Sequence, residues 1–374
     1  MSRAASEAAI DRPLPPPIAA ALDSVLKGAP RQRPSPRERL VVFSDLHLGN
    51  GGSHDDFLPN GPLLQAALER YYLPGHYRLI LNGDVEELQR FHLDQIRRRW
   101  APFYELLGEF ARKGRLQRIV GNHDAELLVR QDPFPAPQLL EGLRLELDGD
   151  SLFLFHGHQA SILQTRFLGL SSAALRYVAN PLGIRNWSVS ESNPRKFRVE
   201  KRVYSFAHRR QVLALIGHTH RPMFESLSKL DALRFGIERL CRELSEARGA
   251  RRSRLEAELL ADKAELERLL EKRGRAEDAA ATLYTSPLLL PCLFNSGCCI
   301  GKRGLTGIEL AGGRISLVHW FDRARSERYL STDERSKTRR AGRASEALPG
   351  TPYHRVVLRE DTLSYLFTRI RLLA

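Results

Sequence analysis

Short apolar runs recur along the chain, and each run ends in a polar turn that contains glycine or histidine. The first five runs predict strands at Leu40–Phe43, Tyr77–Leu81, Leu116–Val120, Leu152–Phe155 and Val212–Ile216. Between these runs apolar residues return at helical spacing, which predicts helices over Leu63–Tyr72 and Leu88–Lys113. Strands that alternate with helices are typical of a layered α/β domain, in which ligands bind at the carboxyl ends of the strands.

Three further runs complete a predicted domain over residues 39–321, with strands around Leu293–Cys299, Leu305–Leu310 and Ile315–Phe321. The proline-rich segment 1–38 predicts a flexible arm with one short amphipathic helix, whose apolar side chains are Ile18, Leu22, Val25 and Leu26. Residues 322–350 are polar and basic, which is typical of a linker. The C-terminal tail after this linker predicts a docked strand and an amphipathic helix.

Two long insertions interrupt the predicted domain. Residues 157–211 mix apolar and basic residues in a long insertion between two predicted strands, and its interleaved aromatic residues are Trp187, Phe197, Tyr204 and Phe206. Residues 234–275 are rich in Arg, Glu, Leu and Ala and predict two helices that fold back on each other at Gly249. This helical hairpin is either a solvated surface feature or an arm for docking or dimerisation.

Composition narrows the classes of protein only in part. Lys and Arg number 58 against 44 Asp and Glu, which gives a formal net charge of +14. This charge fits binding to a nucleic acid, an anionic lipid or an anionic substrate, but an arginine-rich genome would also explain it. No apolar run is long enough for a transmembrane helix, and the N-terminus has no apolar core for a signal peptide. The four cysteines have no zinc or disulfide spacing, so a cytoplasmic protein is expected.

Polar clusters of metal-binding residue types follow the first five predicted strands. They read Asp45-Leu46-His47, Gly83-Asp84, Gly121-Asn122-His123-Asp124, His156-Gly157-His158 and Gly217-His218-Thr219-His220. In a strand, residues i and i+2 face the same side, so the pairs Asp45/His47 and His218/His220 are each expected to reach one site. Oxygen and imidazole ligands suit Mn²⁺, Fe or Zn²⁺. We therefore expect the five clusters to meet at one sheet edge around two divalent metal ions.

In this order the clusters resemble the motifs of the calcineurin-like metallophosphoesterases. SDLHLG, NGDVEE, GNHD, FHGH and GHTH match each part of the family pattern, over about residues 39–233 and 279–321. The resemblance implies a two-sheet β-sandwich flanked by helices. It also implies an enzyme with two divalent metal ions, most often manganese, that hydrolyses a phosphomonoester, phosphodiester or pyrophosphate bond with a metal-activated hydroxide.

The resemblance implies a role for each motif residue. The residues expected to hold metal ions are Asp45, His47 and His220 for one ion, and Asn122, His156 and His218 for the other, with Asp84 bridging the two. His123 is expected to stabilise developing charge and to protonate the leaving oxygen, oriented by Glu87. Asp124 is either a further functional residue or a turn acid. His158 is expected to support a metal ligand rather than to bind metal.

One branch of the family, the bacterial UDP-2,3-diacylglucosamine pyrophosphatase-like proteins, shares SDLHLG and a glutamate at the position of Glu87. It carries a substrate-gripping cap where residues 157–211 stand here. That likeness implies substrate contacts at Arg195, Lys196, Arg198 and Arg202, which could clamp a diphosphate, and aromatic contacts to a nucleobase or acyl chains. That branch typically has arginine at the position of His123 and reads HGD where this chain reads His156-Gly157-His158. A relative with its own substrate is therefore favoured, and the pyrophosphatase is the alternative.

Other functions stay open at this point. A protein phosphatase uses the same metal site but needs an open groove. A nuclease is compatible with the net charge and predicts steep salt dependence, although nucleic acid is the less favoured partner. A non-catalytic scaffold is disfavoured because all seven metal positions are present. The expected partners are a phosphorylated small molecule or lipid-nucleotide, an anionic membrane surface met by the basic cap or tail, and a second copy of the chain joined through the helical hairpin.

Overall fold

The computed structural model describes residues 14–132, 134–147, 149–161, 193–227, 247–271, 290–325 and 345–373, with short stretches inside 233–244. In these residues the chain forms two β-sheets with helices packed against them. The predicted fold class, a two-sheet α/β sandwich with flanking helices, is therefore confirmed.

The two sheets are built from thirteen strands in the described part of the chain. In chain order these are β1 (Arg31–Gln32), β2 (Arg39–Phe43), β3 (Tyr77–Asn82), β4 (Leu116–Ile119), β5 (Leu139–Leu140), β6 (Gly142–Leu147), β7 (Asp150–Phe155), β8 (Leu213–Ile216), β9 (Leu293–Asn295), β10 (Leu305–Ala311), β11 (Arg314–Asp322), β12 (Glu346–Ala347) and β13 (Tyr353–Thr362). The larger sheet has the order β12-β13-β11-β10-β2-β3-β4-β5, and the smaller has the order β1-β6-β7-β8-β9. Strands β2 to β5 are parallel, as are β7 to β9.

The helices cover the sheets. They are α1 (Pro16–Gly28), α2 (Gly61–Ala67), α3 (Leu93–Arg99), α4 (Ala101–Arg112), α5 (Glu126–Arg130), α6 (Asn193–Arg210), α7 (Gly249–Glu271) and α8 (Leu363–Leu373). A π-helical turn, Leu68–Tyr72, extends α2, so the predicted helix over Leu63–Tyr72 is present. The predicted helix over Leu88–Lys113 is divided at Trp100 into α3 and α4. Among the described helices, none combines the length and the apolar character that a membrane span requires.

Strand β2 shows why the apolar runs were visible in the sequence. Leu40 and Val42 are buried in the core that the two sheets share, and Val41 and Phe43 are buried in a second core, against the helices that cover the larger sheet. A strand that is covered on both faces needs a continuous apolar run rather than an alternating one. The run ends where the chain leaves the sheet, so the polar residues that follow lie at the sheet edge.

The N-terminal region differs from the prediction of a flexible arm. From residue 14 onward it is packed: α1 is the predicted amphipathic helix, and its Ile18, Leu22 and Val25 are buried in the shared core. Strand β1 then pairs in parallel with β6 at the edge of the smaller sheet. An apolar helix stripe needs a surface that covers it, and here the sheet supplies that surface. Residues 1–13 lie outside the described part of the chain.

At the C-terminus the larger sheet continues past the predicted domain boundary at residue 321. Strand β13 pairs antiparallel with β11, and α8 buries Leu366, Phe367 and Ile370 in the shared core. The strand and helix that the tail predicts are therefore present, and they belong to the domain. Residues 326–344 of the predicted linker lie outside the described residues.

Helix α6 is the described C-terminal part of the segment 157–211 that was predicted to form a cap. It connects the parallel strands β7 and β8, and Val199 and Val203 on its apolar face are buried in the shared core. Tyr204 and Phe206 are buried there too, so they cannot stack on a nucleobase or hold acyl chains in this conformation. Helix α6 is thus a crossover helix of the sandwich. The rest of the predicted cap, including Trp187, lies in residues 162–192, outside the described part.

The predicted helical hairpin over residues 234–275 is described only in part. Helix α7 begins at Gly249. The φ angle of Gly249 is +56°, a left-handed conformation that residues with a side chain rarely adopt, so glycine suits this turn. Leu240, in the segment before the turn, is buried, and Gly236 lies against Asp262 of α7. A docking or dimerising role for the hairpin stays a prediction.

Candidate metal centre

The loops that follow five strands meet at one place in the structure. Three follow β2, β3 and β4 of the larger sheet, and two follow β7 and β8 of the smaller sheet. The prediction of a single sheet edge is therefore corrected, because the site lies where the carboxyl edges of two sheets meet. These loops bring together six of the seven residues predicted to hold metal ions, namely Asp45, His47, Asp84, His156, His218 and His220. The seventh, Asn122, precedes His123, whose backbone N–H donates to Asp84.

Most of these side chains project from left-handed backbone. The φ angles are 55° at Asp45, 51° at His47, 53° at Asp84, 62° at His218 and 55° at His220. None of these residues lies in a strand, so the argument that i and i+2 share one strand face is wrong for both pairs. Left-handed backbone is uncommon outside glycine and concentrates at functional sites. Here the first turn is held because the N–H groups of Asp45 and His47 each donate to the loop after β3, over 3.0 Å.

Two glycines allow the loops to approach the carboxylates closely. A Cβ on Gly121 would overlap the Oδ1 atom of Asp84. A Cβ on Gly217 would lie only 2.5 Å from the Oδ2 atom of Asp45. The glycines in these motifs are thus required by close packing against the carboxylates that the neighbouring loops present.

The first group of candidate ligands is Asp45, His47 and His220. The Nε2 atom of His220 lies 3.0 Å from Oδ1 of Asp45 and 3.2 Å from Nε2 of His47. The Nε2 atom of His47 lies 4.0 Å from the same Asp45 oxygen. Two imidazole nitrogens and one carboxylate oxygen therefore face a common point, which is a donor set that suits a divalent transition-metal ion.

The second group is Asp84, His156 and His218, and Asn122 is the predicted fourth ligand. The Nε2 atom of His156 lies 3.0 Å from Oδ2 of Asp84. Among the described residues, Nε2 of His156, Nε2 of His218 and Oδ1 of Asn122 are buried and have no hydrogen-bond partner. Each unsatisfied buried polar atom costs about 1–3 kcal/mol. A metal ion held with Asp84 would satisfy both imidazole nitrogens, so the residues present fit a second divalent cation.

Asp84 lies between the two groups. Its Oδ2 atom is 4.0 Å from Nε2 of His47 on one side and 3.0 Å from Nε2 of His156 on the other. Its Oδ1 atom accepts a hydrogen bond of 2.8 Å from the backbone N–H of His123. The imidazole of His123 also faces this carboxylate, with Nε2 at 4.0 Å from Oδ2. This is the position that a ligand shared by two ions requires.

The buried charges of the site stabilise one another. Burial raises the pKa of Asp45, but His220 and His156 outweigh this and lower it to about 2. Burial acts in the same way on Asp84, and His156 and His123 hold its pKa well below the usual range. Burial lowers the pKa of His156, whereas Asp84 and Asp45 raise it to about 10. Both carboxylates are therefore ionised at neutral pH, as metal binding requires.

Glu87 positions two histidines with one carboxylate. Its Oε2 atom pairs with Nδ1 of His47 at 2.9 Å, and its Oε1 atom pairs with Nδ1 of His123 at 2.8 Å. Burial raises the pKa of Glu87, but the two histidines lower it to about 2. With both Nδ1 atoms held in this way, both Nε2 atoms face the centre. The sequence predicted the contact to His123, and the structure adds the contact to His47.

Replacing Glu87 by glutamine is expected to weaken metal binding as well as activity. A carboxylate accepts from two Nδ1–H groups, but an amide has only one acceptor oxygen, so one imidazole loses its partner. Losses of about 10–100-fold in metal affinity are typical for such supporting residues. Calorimetric titration with Mn²⁺ measures this, with Glu105→Gln on the exposed face of α4 as the matched control. An unchanged affinity for Mn²⁺ would show that the contact to His47 is incidental.

Asp124 faces the backbone rather than the metal groups. Its Oδ1 atom accepts from the N–H of Gly121 at 2.6 Å, and its Oδ2 atom accepts from the N–H of Val85 at 2.9 Å. It therefore joins the loop after β3 to the loop after β4. Of the two roles that the sequence left open, the turn acid agrees with this geometry, and we regard Asp124 as a positioning residue.

A buried ionic network behind these loops was missed at the sequence level. Arg118, inside β4, pairs with Glu86 and lies 3.5 Å from Oδ2 of Asp124, and all three side chains are buried. Tyr104 of α4 donates to Oε1 of Glu86 over 2.6 Å. The one signal in the sequence is an arginine inside an apolar strand, since a fully buried arginine requires paired acids.

A second supporting network fixes the loop after β8. Thr219, which stands between two candidate ligands, donates to Oε1 of Glu200 on α6 over 2.7 Å and accepts from Asn295 over 2.9 Å. The other oxygen of Glu200 lies 3.4 Å from Nη1 of Arg221. Helix α6 is thus tied directly to the metal-binding loop. Sequence reasoning missed Glu200 because its partners lie 19 and 21 residues further along the chain.

The four basic residues predicted to bind substrate have different surroundings. Lys196 is half-buried and within electrostatic range of the first ligand group. Arg202 donates to the carbonyl of Ala160 over 2.9 Å, so it joins α6 to the segment that follows the His156 loop. Arg198 is exposed, and the side chain of Arg195 lies outside the described part.

His158 is buried beside two of the candidate ligands. Its ring centroid lies 5.6 Å from that of His156 and 6.3 Å from that of His218. Burial and the nearby His156 lower its pKa to about 3, so its imidazole is neutral. It lies next to the ligands, as expected, but in the described structure its Nδ1 atom has no hydrogen-bond partner.

No protein-family model matches the chain, and no curated protein matches it. Among solved structures, the chain is similar to Yfce, a phosphoesterase from E. coli, with 17% identity and a TM-score of 0.33 over 74% of this chain and 91% of that one. It is also similar to a conserved protein from Streptococcus pneumoniae TIGR4 described as a predicted phosphoesterase, with 13% identity and a TM-score of 0.29 over 76% and 90% of the two chains. At these values the function has to be inferred from the residues of the site itself.

Proposed function

We propose that this chain is a hydrolase of phosphate esters that depends on two divalent metal ions. The observation that carries the proposal is the convergence of six oxygen and nitrogen donors from four loops, beside the fifth loop, which carries Asn122. Two of those donor atoms are buried without a partner in the described structure. Asp45, His47 and His220 would hold one ion, Asn122, His156 and His218 the other, and Asp84 would contact both. Two such ions supply Lewis-acid activation of a phosphoryl group and of water.

Around that centre, the chain itself supplies a proton donor. Burial lowers the pKa of His123, but the carboxylates of Asp84 and Glu87 outweigh this and raise it to about 9, which favours the protonated imidazole. Glu87 occupies Nδ1, which leaves the Nε2–H directed toward the centre. A proton held there can pass to the leaving oxygen as the ester bond breaks. This supports the role of general acid for His123.

Two nitrophenyl esters test the proposal. We expect Mn²⁺-dependent release of nitrophenol from bis-p-nitrophenyl phosphate, a diester, and compare it with p-nitrophenyl phosphate, a monoester. The Asp84→Asn variant is the control for contaminating activity. Release from the diester alone supports a phosphodiesterase, and release from the monoester alone supports a phosphatase. A chain that binds no Mn²⁺ and cleaves neither ester would contradict the proposal.

A second candidate is cleavage of the diphosphate in a lipid-linked nucleotide, as in the UDP-2,3-diacylglucosamine pyrophosphatase-like branch. The half-buried Lys196 beside the centre supports an additional anionic group in the substrate. The burial of Tyr204 and Phe206 in the core removes two of the aromatic contacts that this reading invoked. We therefore keep the broader ester class as the first proposal.

The proposal extends to cellular context. Manganese is the first metal to test, with iron and zinc as alternatives that suit the same donor set. All four cysteines are free, which supports a reducing compartment such as the bacterial cytoplasm. Contact with an anionic membrane, and self-association through the hairpin over residues 234–275, remain proposals that rest on the sequence.

A further inference from the structure

A buried serine contacts the carboxylate of Asp45, and a second buried serine contacts the first. Ser44 directly follows β2, and its Oγ atom donates to Oδ2 of Asp45 over 2.5 Å. Ser296 directly follows β9, and its Oγ atom lies 2.7 Å from Oγ of Ser44. Neither serine is exposed to solvent. Because β2 belongs to the larger sheet and β9 to the smaller, the two hydroxyls join the sheets at the metal centre.

The direction of these hydrogen bonds follows from the number of protons. A hydroxyl carries one proton and an ionised carboxylate only accepts, so the proton of Ser44 points to Asp45. The contact between the two serines then requires Ser296 to donate to Ser44. The other acceptor near Oγ of Ser296 is the carbonyl of Ile216, at the longer distance of 3.3 Å. Hydrogen bonds therefore run from Ser296 to Ser44 and from Ser44 to Asp45.

The two oxygens of Asp45 have different surroundings. The hydroxyl of Ser44 contacts Oδ2, whereas Oδ1 lies 3.0 Å from Nε2 of His220 and 4.0 Å from Nε2 of His47. The backbone N–H of His218 lies within reach of both oxygens, at 3.1 Å from Oδ1 and 3.0 Å from Oδ2. The serine hydroxyl thus distinguishes the oxygen that is anchored in the protein from the oxygen that faces the imidazoles.

The second serine is itself held on both sides of its backbone. The N–H of Ser296 donates to the carbonyl of Ile216 over 3.1 Å, and its carbonyl accepts from Oγ1 of Thr306 over 2.7 Å. The first hydroxyl is closely packed, because a Cβ on Gly217 would lie 2.5 Å from Oγ of Ser44. Both hydroxyls therefore have fixed positions relative to the carboxylate.

We propose that Ser296 and Ser44 form a hydroxyl relay that positions Asp45 for the first metal ion. The relay anchors Oδ2 in the protein and leaves Oδ1 as the metal-binding atom. Both serines are positioning residues, because they act through Asp45. The inference rests on the metal dependence in the proposed function. Contacts that orient a metal ligand in this way typically contribute about 10–100-fold to metal affinity.

Three variants test the relay: Ser44→Ala, Ser296→Ala and the double variant. The matched control is Ser316→Ala on β11, whose hydroxyl also donates to a carboxylate, Oε2 of Glu360, over 2.8 Å. Each full-length variant is titrated with Mn²⁺ by calorimetry. Turnover of bis-p-nitrophenyl phosphate is measured across a range of Mn²⁺ concentrations, and thermal unfolding is measured without metal.

We expect Ser44→Ala to weaken binding of one of the two Mn²⁺ ions by about 10–100-fold. Ser296→Ala should weaken the same ion by about two- to tenfold, as loss of one neutral hydrogen bond would. The double variant should bind this ion no more than about twofold more weakly than Ser44→Ala, because without Ser44 the second hydroxyl has no route to Asp45. Added Mn²⁺ should restore turnover, since the ligands are intact, and Ser316→Ala should leave the Mn²⁺ affinity unchanged.

Two results would overturn the inference. An unchanged Mn²⁺ affinity in both single variants, whatever happened to thermal stability, would mean that the serines only pack. Losses that added up in the double variant would mean that each serine acts on its own. Failure of the proposed function is distinguishable: an unsubstituted chain that binds Mn²⁺ and cleaves no ester would contradict it, while the Mn²⁺ affinities would still decide the relay. A chain that binds no Mn²⁺ would overturn both.

Discussion

Replacing Asp84 by asparagine is expected to abolish ester hydrolysis and to remove one of the two metal ions while the fold is retained. Asp84 is almost fully buried, and its Oδ2 atom faces His47 and His156 from the two ligand groups. An amide keeps the shape of the side chain and can still accept the N–H of His123, but it carries no charge for a shared cation. Metal activation is worth several kcal/mol, so we expect kcat/KM to fall by about 10³-fold or more.

Three measurements on Asp84→Asn decide this prediction: metal content by elemental analysis, turnover of bis-p-nitrophenyl phosphate, and thermal unfolding. The matched control is Asp56→Asn in the loop near Arg90, where the carboxylate is exposed and paired only at the surface. The control should retain both metal ions and full turnover. If Asp84→Asn turned over substrate like the unsubstituted chain, Asp84 could not be the residue that both ions share.

The residues that follow each strand could be identified from the sequence as candidate ligands, because a strand buried on both faces has a continuous apolar run. The run at Leu40–Phe43 ends two positions before Asp45, and the run at Val212–Ile216 ends two positions before His218. The end of each run therefore marks the sheet edge where ligands collect. The short strands β1 and β5 were missed because two residues have no recognisable periodicity.

Backbone conformation and long-range pairing could not be predicted in this way. The spacing of Asp45 and His47 fits a strand, but hydrogen bonds to the loop after β3 hold both residues in left-handed turns. Tertiary contacts of that kind leave no local signal. Helix α6 is a different case, because Val199 and Val203 already mark an apolar face at helical spacing. The cap was predicted from the family resemblance, which gave no indication that this face would be buried in the core.

Replacing Arg118 by methionine is expected to destabilise the whole domain. Arg118 is fully buried, and burial alone lowers its pKa, but Glu86 and Asp124 raise it above its ordinary value. Without the guanidinium, two buried carboxylates lose their counter-charge. Breaking a buried ion pair by removing one partner costs about 3–5 kcal/mol. For a domain of this size we expect the midpoint of thermal unfolding to fall by about 10 °C.

A double variant separates the charge effect from the loss of packing. In Arg118→Met with Glu86→Gln, one stranded charge is also removed, so the double variant should be less destabilised than the sum of the two single variants. The exposed pair of Arg90 and Asp56, at 2.9 Å, is the surface comparison, and Arg90→Met should cost less than about 1 kcal/mol. Strictly additive losses in the double variant would mean that Arg118 stabilises the domain by filling space. A non-additive result would instead show that the strand beneath the GNHD loop is held by a buried charge network, whose signal in the sequence is the single arginine inside an apolar strand.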